Sequence, residues 1–350
     1  MSEKSYLGAG TDVDESDVVR VGLNGFGRIG RNVFRAVMDH PNVELVGIND
    51  VMAFEDMEYL AKYDTVHGRL DEVSLDGEKL VAGESSVPVF NVQSPAELPW
   101  DELDVDVALE CTGIFRTKED ASAHLDAGAD KVAISAPPKG DEPVKQIVYG
   151  VNHDEYDGED IVSNASCTTN SISPVAKVLD DEFGIENGLL TTIHAYTGSQ
   201  NLIDGPKAKK RRGRAAAENI VPTSTGAAQA TTEILPQLDG KLDGMAVRVP
   251  VPNGSITDFT FSLDASPSVE EVNQAFRDAA DSGPLAGVLG YTDDEVVSSD
   301  IVGLPFSSTV DLQSTDSVND GGLYKVLTWY DNEFGFANRM LDVADYVTND

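Results

Sequence analysis

Cysteine is almost absent from this 350-residue chain: Cys111 and Cys167 are the only two. Two thiols cannot build a disulfide framework, so a reducing, cytoplasmic setting is expected. Cations are scarce as well. Lys and Arg total 25 against 61 Asp and Glu, a formal net charge of −36. A dispersed negative excess of this size argues against nucleic acid or an anionic membrane as a general partner. The acids occur in every block of fifty residues rather than in one tail, which fits adaptation to high salt. Long hydrophobic runs are missing: nothing approaches the ~18 continuous apolar residues of a membrane helix. Met1 to Arg20 hold no apolar block resembling a signal peptide, and neither an internal repeat nor a low-complexity tract is present. What remains, 41% hydrophobic and 25% charged residues, suffices for a buried core and excludes a natively disordered chain.

The chain length allows two domains, and the hydrophobic pattern changes character part-way along it. Residues 1–18 lack periodicity and read as a mobile acidic extension. Val18 to Asn24 is a short β-branched run that leads into Gly25-Phe26-Gly27-Arg28-Ile29-Gly30. Val33, Phe34 and Val37 then recur at helical spacing until Pro41. Val43 to Ile48 predicts a second strand, with further strands at Val105 to Leu109 and Lys131 to Ile134 and a helix over Ala121 to Ala127 between them. This alternation predicts a parallel sheet of the doubly wound type. After about residue 165 the pattern is mostly strands, at Leu189 to Ala195, Gly244 to Pro250, Ser255 to Leu263 and Lys325 to Tyr330. Phe259, Phe261 and Leu263 alternate with polar residues, as in an antiparallel sheet with one covered face. Ser268 and Glu271 form a capping box at the head of a helix. A last helix, from about Phe336, places Met340, Val343, Ala344 and Val347 on one face. The expected fold is α/β: a Rossmann dinucleotide-binding domain over residues 19–166, completed by the C-terminal helix 336–350, and an α+β catalytic domain over 167–335 with a mostly antiparallel sheet.

A G-x-G-x-x-G run is weak evidence alone, and a glycine-rich structural turn is its plain alternative. Here it lies between a strand and a helix inside a βαβ unit. Gly25 and Gly27 would let backbone approach a pyrophosphate, Gly30 would let helix and strand pack closely, and the helix N-terminus would face the anion. Asp50 follows Gly30 by twenty residues, at the end of the second strand, where an acid accepts hydrogen bonds from ribose hydroxyls. A carboxylate there disfavours a 2′-phosphate, so NAD is expected over NADP.

Cys167 lies in Asn164-Ala165-Ser166-Cys167-Thr168-Thr169-Asn170, after a strand-like Ile161-Val162 and before a helix that stops at Gly184. A sulfur at a helix N-terminus is expected to have a lowered pKa, which marks a nucleophile. Cys111 reads instead as a small buried residue at a strand end. Among five histidines, His194 sits at a strand end in the second half of the chain. His40, His67, His124 and His153 read as surface residues beside helix ends or loops. Spacing alone leaves the Cys167–His194 pair open against a satisfied structural histidine. No metal ligands are assigned.

These segments together resemble the phosphorylating glyceraldehyde-3-phosphate dehydrogenases of the bacterial and eukaryotic type. The resemblance covers nearly all of residues 19–350 and rests on Asn24 to Arg31, Ser166 to Asn170, His194 to Thr197, Ser224-Thr225-Gly226-Ala227-Ala228, Arg248-Val249-Pro250 and Trp329 to Glu333. It implies that Cys167 attacks the aldehyde carbon, that His194 is the base, and that inorganic phosphate releases 1,3-bisphosphoglycerate from a Cys167 thioester. It implies further that Thr197 and Arg248 hold the phosphate of glyceraldehyde 3-phosphate. Ser166, Thr168, Arg212, Thr225 and Gly226 would hold the attacking phosphate. Arg28 and Ile29 would donate backbone hydrogen bonds to the pyrophosphate, Asn332 would bind the nicotinamide carboxamide, and Ser135 would lie near the cofactor. A homotetramer is implied too. Two positions depart from the family: Ser199 replaces a common acid beside the substrate-phosphate site, and Phe336 replaces a common tyrosine. Lys207 to Arg214 has six cations in eight residues. Against the net charge it reads as a family loop that folds inward between subunits, and not as a nucleic-acid patch. Rival readings are erythrose-4-phosphate dehydrogenase, an NADP-linked biosynthetic enzyme for the same aldehyde, and a catalytically silent binding protein.

Overall fold

The structure is a computed structural model that describes Leu7–Gly8, residues 18–83 and residues 85–349. Most of the amino-terminal extension expected over residues 1–18 lies outside the described residues. Within it, Leu7 and Gly8 pair antiparallel with Leu45 and Glu44. The chain forms two compact units. One holds the residues up to Ile147, His153–Ala165 and Ala337–Asp350; the other holds Val148–Asn152 and Ser166–Phe336.

The first unit is built on a sheet in the order Lys145–Gln146, Ile161–Ser163, Lys131–Ile134, Val107–Glu110, Val19–Asn24, Val43–Asn49, Ser85–Phe90, Lys79–Ala82, Val73–Asp76. Every pairing from Lys145–Gln146 through Ser85–Phe90 is parallel. The central strands are near-continuous runs of β-branched and aliphatic residues, and Val21, Leu23, Ile48, Val107 and Val132 are all fully buried. Such runs suit a parallel sheet covered on both faces. The final two pairings are antiparallel, making a ribbon over residues 73–90. The sequence reading had no strands there. The helix expected over Ala121 to Ala127 is two short helices, Lys118–Ala121 and Ala123–Asp126, the first capped by Thr117.

The second unit carries a seven-stranded sheet in the order Val221–Ser224, Leu242–Val249, Ile185–Ala195, Ser255–Leu263, Leu323–Tyr330, Ser308–Val318, Leu289–Thr292. The strands Leu242–Val249 and Leu289–Thr292 each make one parallel pairing, with Ile185–Ala195 and Ser308–Val318 respectively, and the other pairings are antiparallel. Along Ser255–Leu263 burial alternates residue by residue, with Phe259 and Phe261 inside. The helix Cys167–Phe183 packs against this sheet and against the helices Ala227–Ile234 and Val269–Asp281. Ser268 and Glu271 form the expected capping box at the head of Val269–Asp281. The last helix is Phe334–Asn349, with Met340, Val343 and Ala344 fully buried.

Candidate active site

In the first unit the glycine turn is shaped by close backbone approach. Gly25 has φ +100°, and a Cβ there would stand 2.6 Å from the Thr112 amide nitrogen. A Cβ on Gly30 would stand 1.9 Å from the Gly25 carbonyl oxygen. Neither position admits a side chain. Gly27 differs: nothing lies within 4 Å of its Cβ position. It caps the helix Arg28–Ala36 without a side-chain hydrogen bond. The open Gly27 edge lies at the N-terminus of this helix, the end of a helix that favours an anion. Asp50 is fastened to this turn, since its Oδ2 accepts from the Phe26 amide at 2.6 Å and its Oδ1 from Met52 at 3.0 Å. The Arg28 guanidinium is paired with Asp64. Burial works to raise the Asp64 pKa, but the Arg28 hydrogen bond and the His67 and Val66 amides outweigh it and hold the carboxylate below its usual range.

A buried polar network braces the same turn, and the sequence did not single it out. Glu110 is fully buried. Its carboxylate accepts from Asn24 Nδ2 at 2.6 Å, the Thr112 amide at 2.8 Å and the Thr112 hydroxyl. It also faces His124 Nε2 at 3.2 Å. Trp100 Nε1 donates to His124 Nδ1 at 3.1 Å, which leaves the His124 proton on Nε2, toward the carboxylate. Asn49 Nδ2 donates to Asn24 Oδ1 at 2.7 Å, completing the link to the second strand. His124 is therefore not the surface residue expected; its ring closes a set of donors around a buried charge, which such a charge requires. Cys111 is at the strand end, as expected. Burial pushes its thiol up to about 12, with the Ser135 hydroxyl acting the other way.

In the second unit Cys167 is the first residue of its helix. Ser166 is the cap: its Oγ accepts from the Thr169 amide at 3.1 Å. Ala165, just before it, has a left-handed φ of 53°. Strand Ile185–Ala195 delivers His194, whose Nε2 lies 3.5 Å from Cys167 Sγ. His194 Nδ1 lies 2.7 Å from the Ala195 carbonyl and 2.6 Å from Arg248 Nη1, and Nη1 also donates to Ala195 at 2.9 Å. The Ala195 carbonyl beside Nδ1 would hold a proton there and leave the Nε2 lone pair toward the sulfur, but Arg248 Nη1 can only donate and at 2.6 Å needs Nδ1 as its acceptor. Burial, and then the Arg248 charge, push the His194 pKa down to about 3. The imidazole is thus neutral over the whole working range.

Cys167 departs from expectation. The residue is partly exposed, yet burial of the sulfur pushes the thiol above its ordinary value. Arg248 and the hydrogen bonds from Thr168 act in the opposite direction without overcoming it. A helix N-terminus alone predicts a lowered pKa, but a low-dielectric sulfur site penalises thiolate more strongly. The resting pair is therefore a neutral thiol beside a neutral imidazole.

Polar and cationic groups lie on the neighbouring segments. Thr197 Oγ1 pairs with Ser199 Oγ at 2.8 Å, so the serine that replaces the family acid supplies a neutral partner. Arg212 Nε donates to Thr223 Oγ1 at 3.0 Å, and Lys209 Nζ donates to Ser224 Oγ at 2.6 Å. The Arg212 charge is felt by both His194 and Arg248. Thr225 Oγ1 accepts from the Ala227 amide at 3.1 Å, and Gly226 caps the helix Ala227–Ile234 without a side-chain bond. Asn332 Oδ1 accepts from Ser255 Oγ at 2.7 Å, and the same hydroxyl accepts from the Ala195 amide. The predicted residues thus form two groups. Gly25, Gly27, Arg28, Ile29, Gly30, Asp50 and Ser135 belong to the first unit; Ser166, Cys167, Thr168, His194, Thr197, Arg212, Thr225, Gly226, Arg248 and Asn332 belong to the second.

Comparison with known proteins decides the family. Residues 19–118 match the family model for the glyceraldehyde 3-phosphate dehydrogenase NAD binding domain, and residues 166–332 match that for its C-terminal domain. The chain belongs to the glyceraldehyde-3-phosphate dehydrogenase family. It is 69% identical over 335 residues to the glyceraldehyde-3-phosphate dehydrogenase of the halophile Haloarcula vallismortis, covering 95% of this chain and 99% of that one. It is 52% identical to the enzyme of Streptomyces coelicolor over 335 residues, with the same coverage. Identity to glyceraldehyde-3-phosphate dehydrogenase 1 of Bacillus subtilis is 50% over 332 residues, covering 94% and 98%. As a member of this family the chain is an NAD-dependent oxidoreductase. Among the described residues, no helix is long and apolar enough to cross a membrane.

Proposed function

We propose that the chain oxidises D-glyceraldehyde 3-phosphate to 1,3-bisphosphoglycerate with NAD and inorganic phosphate, through a thioester on Cys167. The observation that carries this reading is the 3.5 Å approach of the neutral His194 imidazole, through Nε2, to Cys167 Sγ at a helix N-terminus. Once Arg248 has turned from Nδ1 to the substrate phosphate, the imidazole proton sits on Nδ1 against the Ala195 carbonyl, and sulfur attacks the aldehyde carbon as Nε2 takes the thiol proton and returns it to the carbonyl oxygen. This gives a thiohemiacetal. Nε2 then withdraws the hydroxyl proton as the C–H bond breaks and the C=O bond re-forms. Bound NAD supplies the acceptor for the hydride. The thioester left on Cys167 is cleaved by phosphate, which takes the acyl group and returns the sulfur.

The cofactor fits this chain, because the Gly27 edge is open where a Cβ would block a pyrophosphate. Gly25, Gly27, Gly30 and the amides of Arg28 and Ile29 would hold that group, Asp50 the ribose, Asn332 the carboxamide, and Ser135 would stand nearby. Residues 19–166 with 336–350 would form the cofactor domain, and 167–335 the catalytic domain. Arg248 and Thr197 would hold the substrate phosphate, and Ser166, Thr168, Arg212, Thr225 and Gly226 the attacking one. Guanidinium, hydroxyl and amide donors are the chemistry that phosphate oxygens require. Steady-state assays with the aldehyde, each cofactor, and with or without phosphate test this reading. Turnover should require phosphate, and kcat/KM should be higher with NAD, because Asp50 would repel a 2′-phosphate. A higher value with NADP, or faster turnover of erythrose 4-phosphate, would overturn it.

A homotetramer in the cytoplasm is the proposed assembly and setting. Supporting it, Leu202 and Ile203 are 80% and 75% exposed on the single chain, beside the basic loop. Four copies would carry a formal −144, four times −36. Acids on facing surfaces within the ~8 Å screening length of 0.15 M salt repel, whereas molar salt shortens that length to ~3 Å. On dilution from ~3 M to ~0.1 M KCl the tetramer should loosen first, then activity fall, then the domains unfold. Light scattering and activity followed together check the order. A fully active, stable tetramer at the low end would remove salt adaptation as the explanation of the charge.

A further inference from the structure

The mechanism above leaves a fully buried phenol beside the nucleophile's helix unused. Tyr330, the last residue of strand Leu323–Tyr330, is 1% exposed. Its hydroxyl lies 3.0 Å from Thr168 Oγ1, on the first turn of the cysteine helix, and 2.7 Å from Thr192 Oγ1, on the strand that carries His194. Thr168 directly follows Cys167, and its hydroxyl favours the thiolate of that residue. The Tyr330 ring meets the His194 ring edge-on, with centroids 5.9 Å apart. Three hydroxyls drawn from three elements therefore run in series and end on the residue next to the nucleophile.

We propose that Tyr330 is a positioning residue that, with Thr192 behind it, fixes the Thr168 hydroxyl as a donor to the Cys167 sulfur and so sets the reactivity of the nucleophile. A phenol has one proton to give. When Thr168 donates to sulfur, its oxygen accepts from Tyr330, and the tyrosine oxygen accepts from Thr192. Each bond in such a chain polarises the next, so the terminal donor to a developing thiolate strengthens. This matters because the site is one in which burial works against thiolate. The other groups facing the sulfur are His194 and Arg248, with Arg212 acting on both. None of them requires a hydroxyl at position 330. A tyrosine kept only for packing would be served equally by phenylalanine.

The proposal rests on Cys167 as the reactive thiol, and the test reads that thiol directly. The rate of iodoacetamide addition to Cys167, located by peptide mass, is followed against pH in the parent, Tyr330→Phe, Thr192→Val and Thr192→Ser proteins. Tyr330→Phe should move the midpoint up by about 0.5–1 pH unit, a 3- to 10-fold slower reaction at a fixed lower pH. Thr192→Val should move it the same way by less, and Thr192→Ser should restore the parent midpoint. The KM for the aldehyde should stay near the parent value while kcat falls. An unchanged midpoint in both Tyr330→Phe and Thr192→Val, or a fall in thermal stability with no change in midpoint, would overturn the proposal. The parent reading fails separately, if complete alkylation of Cys167 leaves turnover intact. Should Tyr330→Phe fail to fold, Thr192→Val and its serine counterpart decide the question.

Discussion

Cys167→Ser should lose at least ~10³-fold in dehydrogenase activity while binding NAD as the parent does, because a serine hydroxyl near neutral pH offers almost no anion to attack a carbonyl. Cys111→Ser should remain active. The two sulfurs differ in setting and not merely in position. Cys111 ends a strand in the first unit and is pushed up to about 12 by burial, with the Glu110 charge adding to it. Cys167 opens a helix with Arg248, Thr168 and His194 around its sulfur. Stoichiometric alkylation should abolish activity and map to Cys167. Substantial turnover by Cys167→Ser, or loss of turnover in a folded Cys111→Ser protein, would reverse the assignment.

His194→Asn should slow the step that breaks the C–H bond by ~10²–10⁴-fold, the usual worth of a general base, and leave NAD binding nearly intact. The pH dependence has a defined sign. A histidine held near 3 is neutral at every working pH, so its protonation cannot produce an acid limb near pH 6. In the free enzyme the rising limb of thiol reactivity should instead follow Cys167 and lie above the ordinary thiol range. A pre-steady-state burst in His194→Asn as fast as the parent's would exclude this histidine as the base. An acid limb near pH 6 that disappears in the same variant would show that burial and the Arg248 charge do not depress the histidine as the geometry implies.

What the sequence revealed and what it hid divide along physical lines. The glycine turn, the capped cysteine helix and the alternating strand Ser255–Leu263 were legible because each is written in adjacent residues with a definite period. The ribbon over residues 73–90 was not, since strands of four residues such as Val73–Asp76 and Lys79–Ala82 carry too few positions to establish a period. His124 was misplaced because its partners are distant in sequence: Trp100 and Glu110 become neighbours only when the sheet forms. Tyr330 meets Thr168 across 162 positions, so no spacing rule finds it. The direction of the Cys167 shift was missed for the same reason. A helix N-terminus is a local feature, whereas burial of the sulfur is a property of the folded unit. Arg248 was read as a phosphate ligand from family resemblance, but its contact with His194 Nδ1 appears only when Leu242–Val249 pairs with Ile185–Ala195.

A single turnover without phosphate isolates the thioester on Cys167 that phosphate must resolve. Enzyme is mixed with excess NAD and glyceraldehyde 3-phosphate in phosphate-free buffer at high KCl, and NADH is followed while quenched samples are examined by mass. A burst of one NADH per active site is expected, then near arrest. The acyl group should be found on the Cys167 peptide and should disappear when phosphate is added. Continued turnover at the full rate without phosphate, or a burst with no acyl group on Cys167, would contradict it.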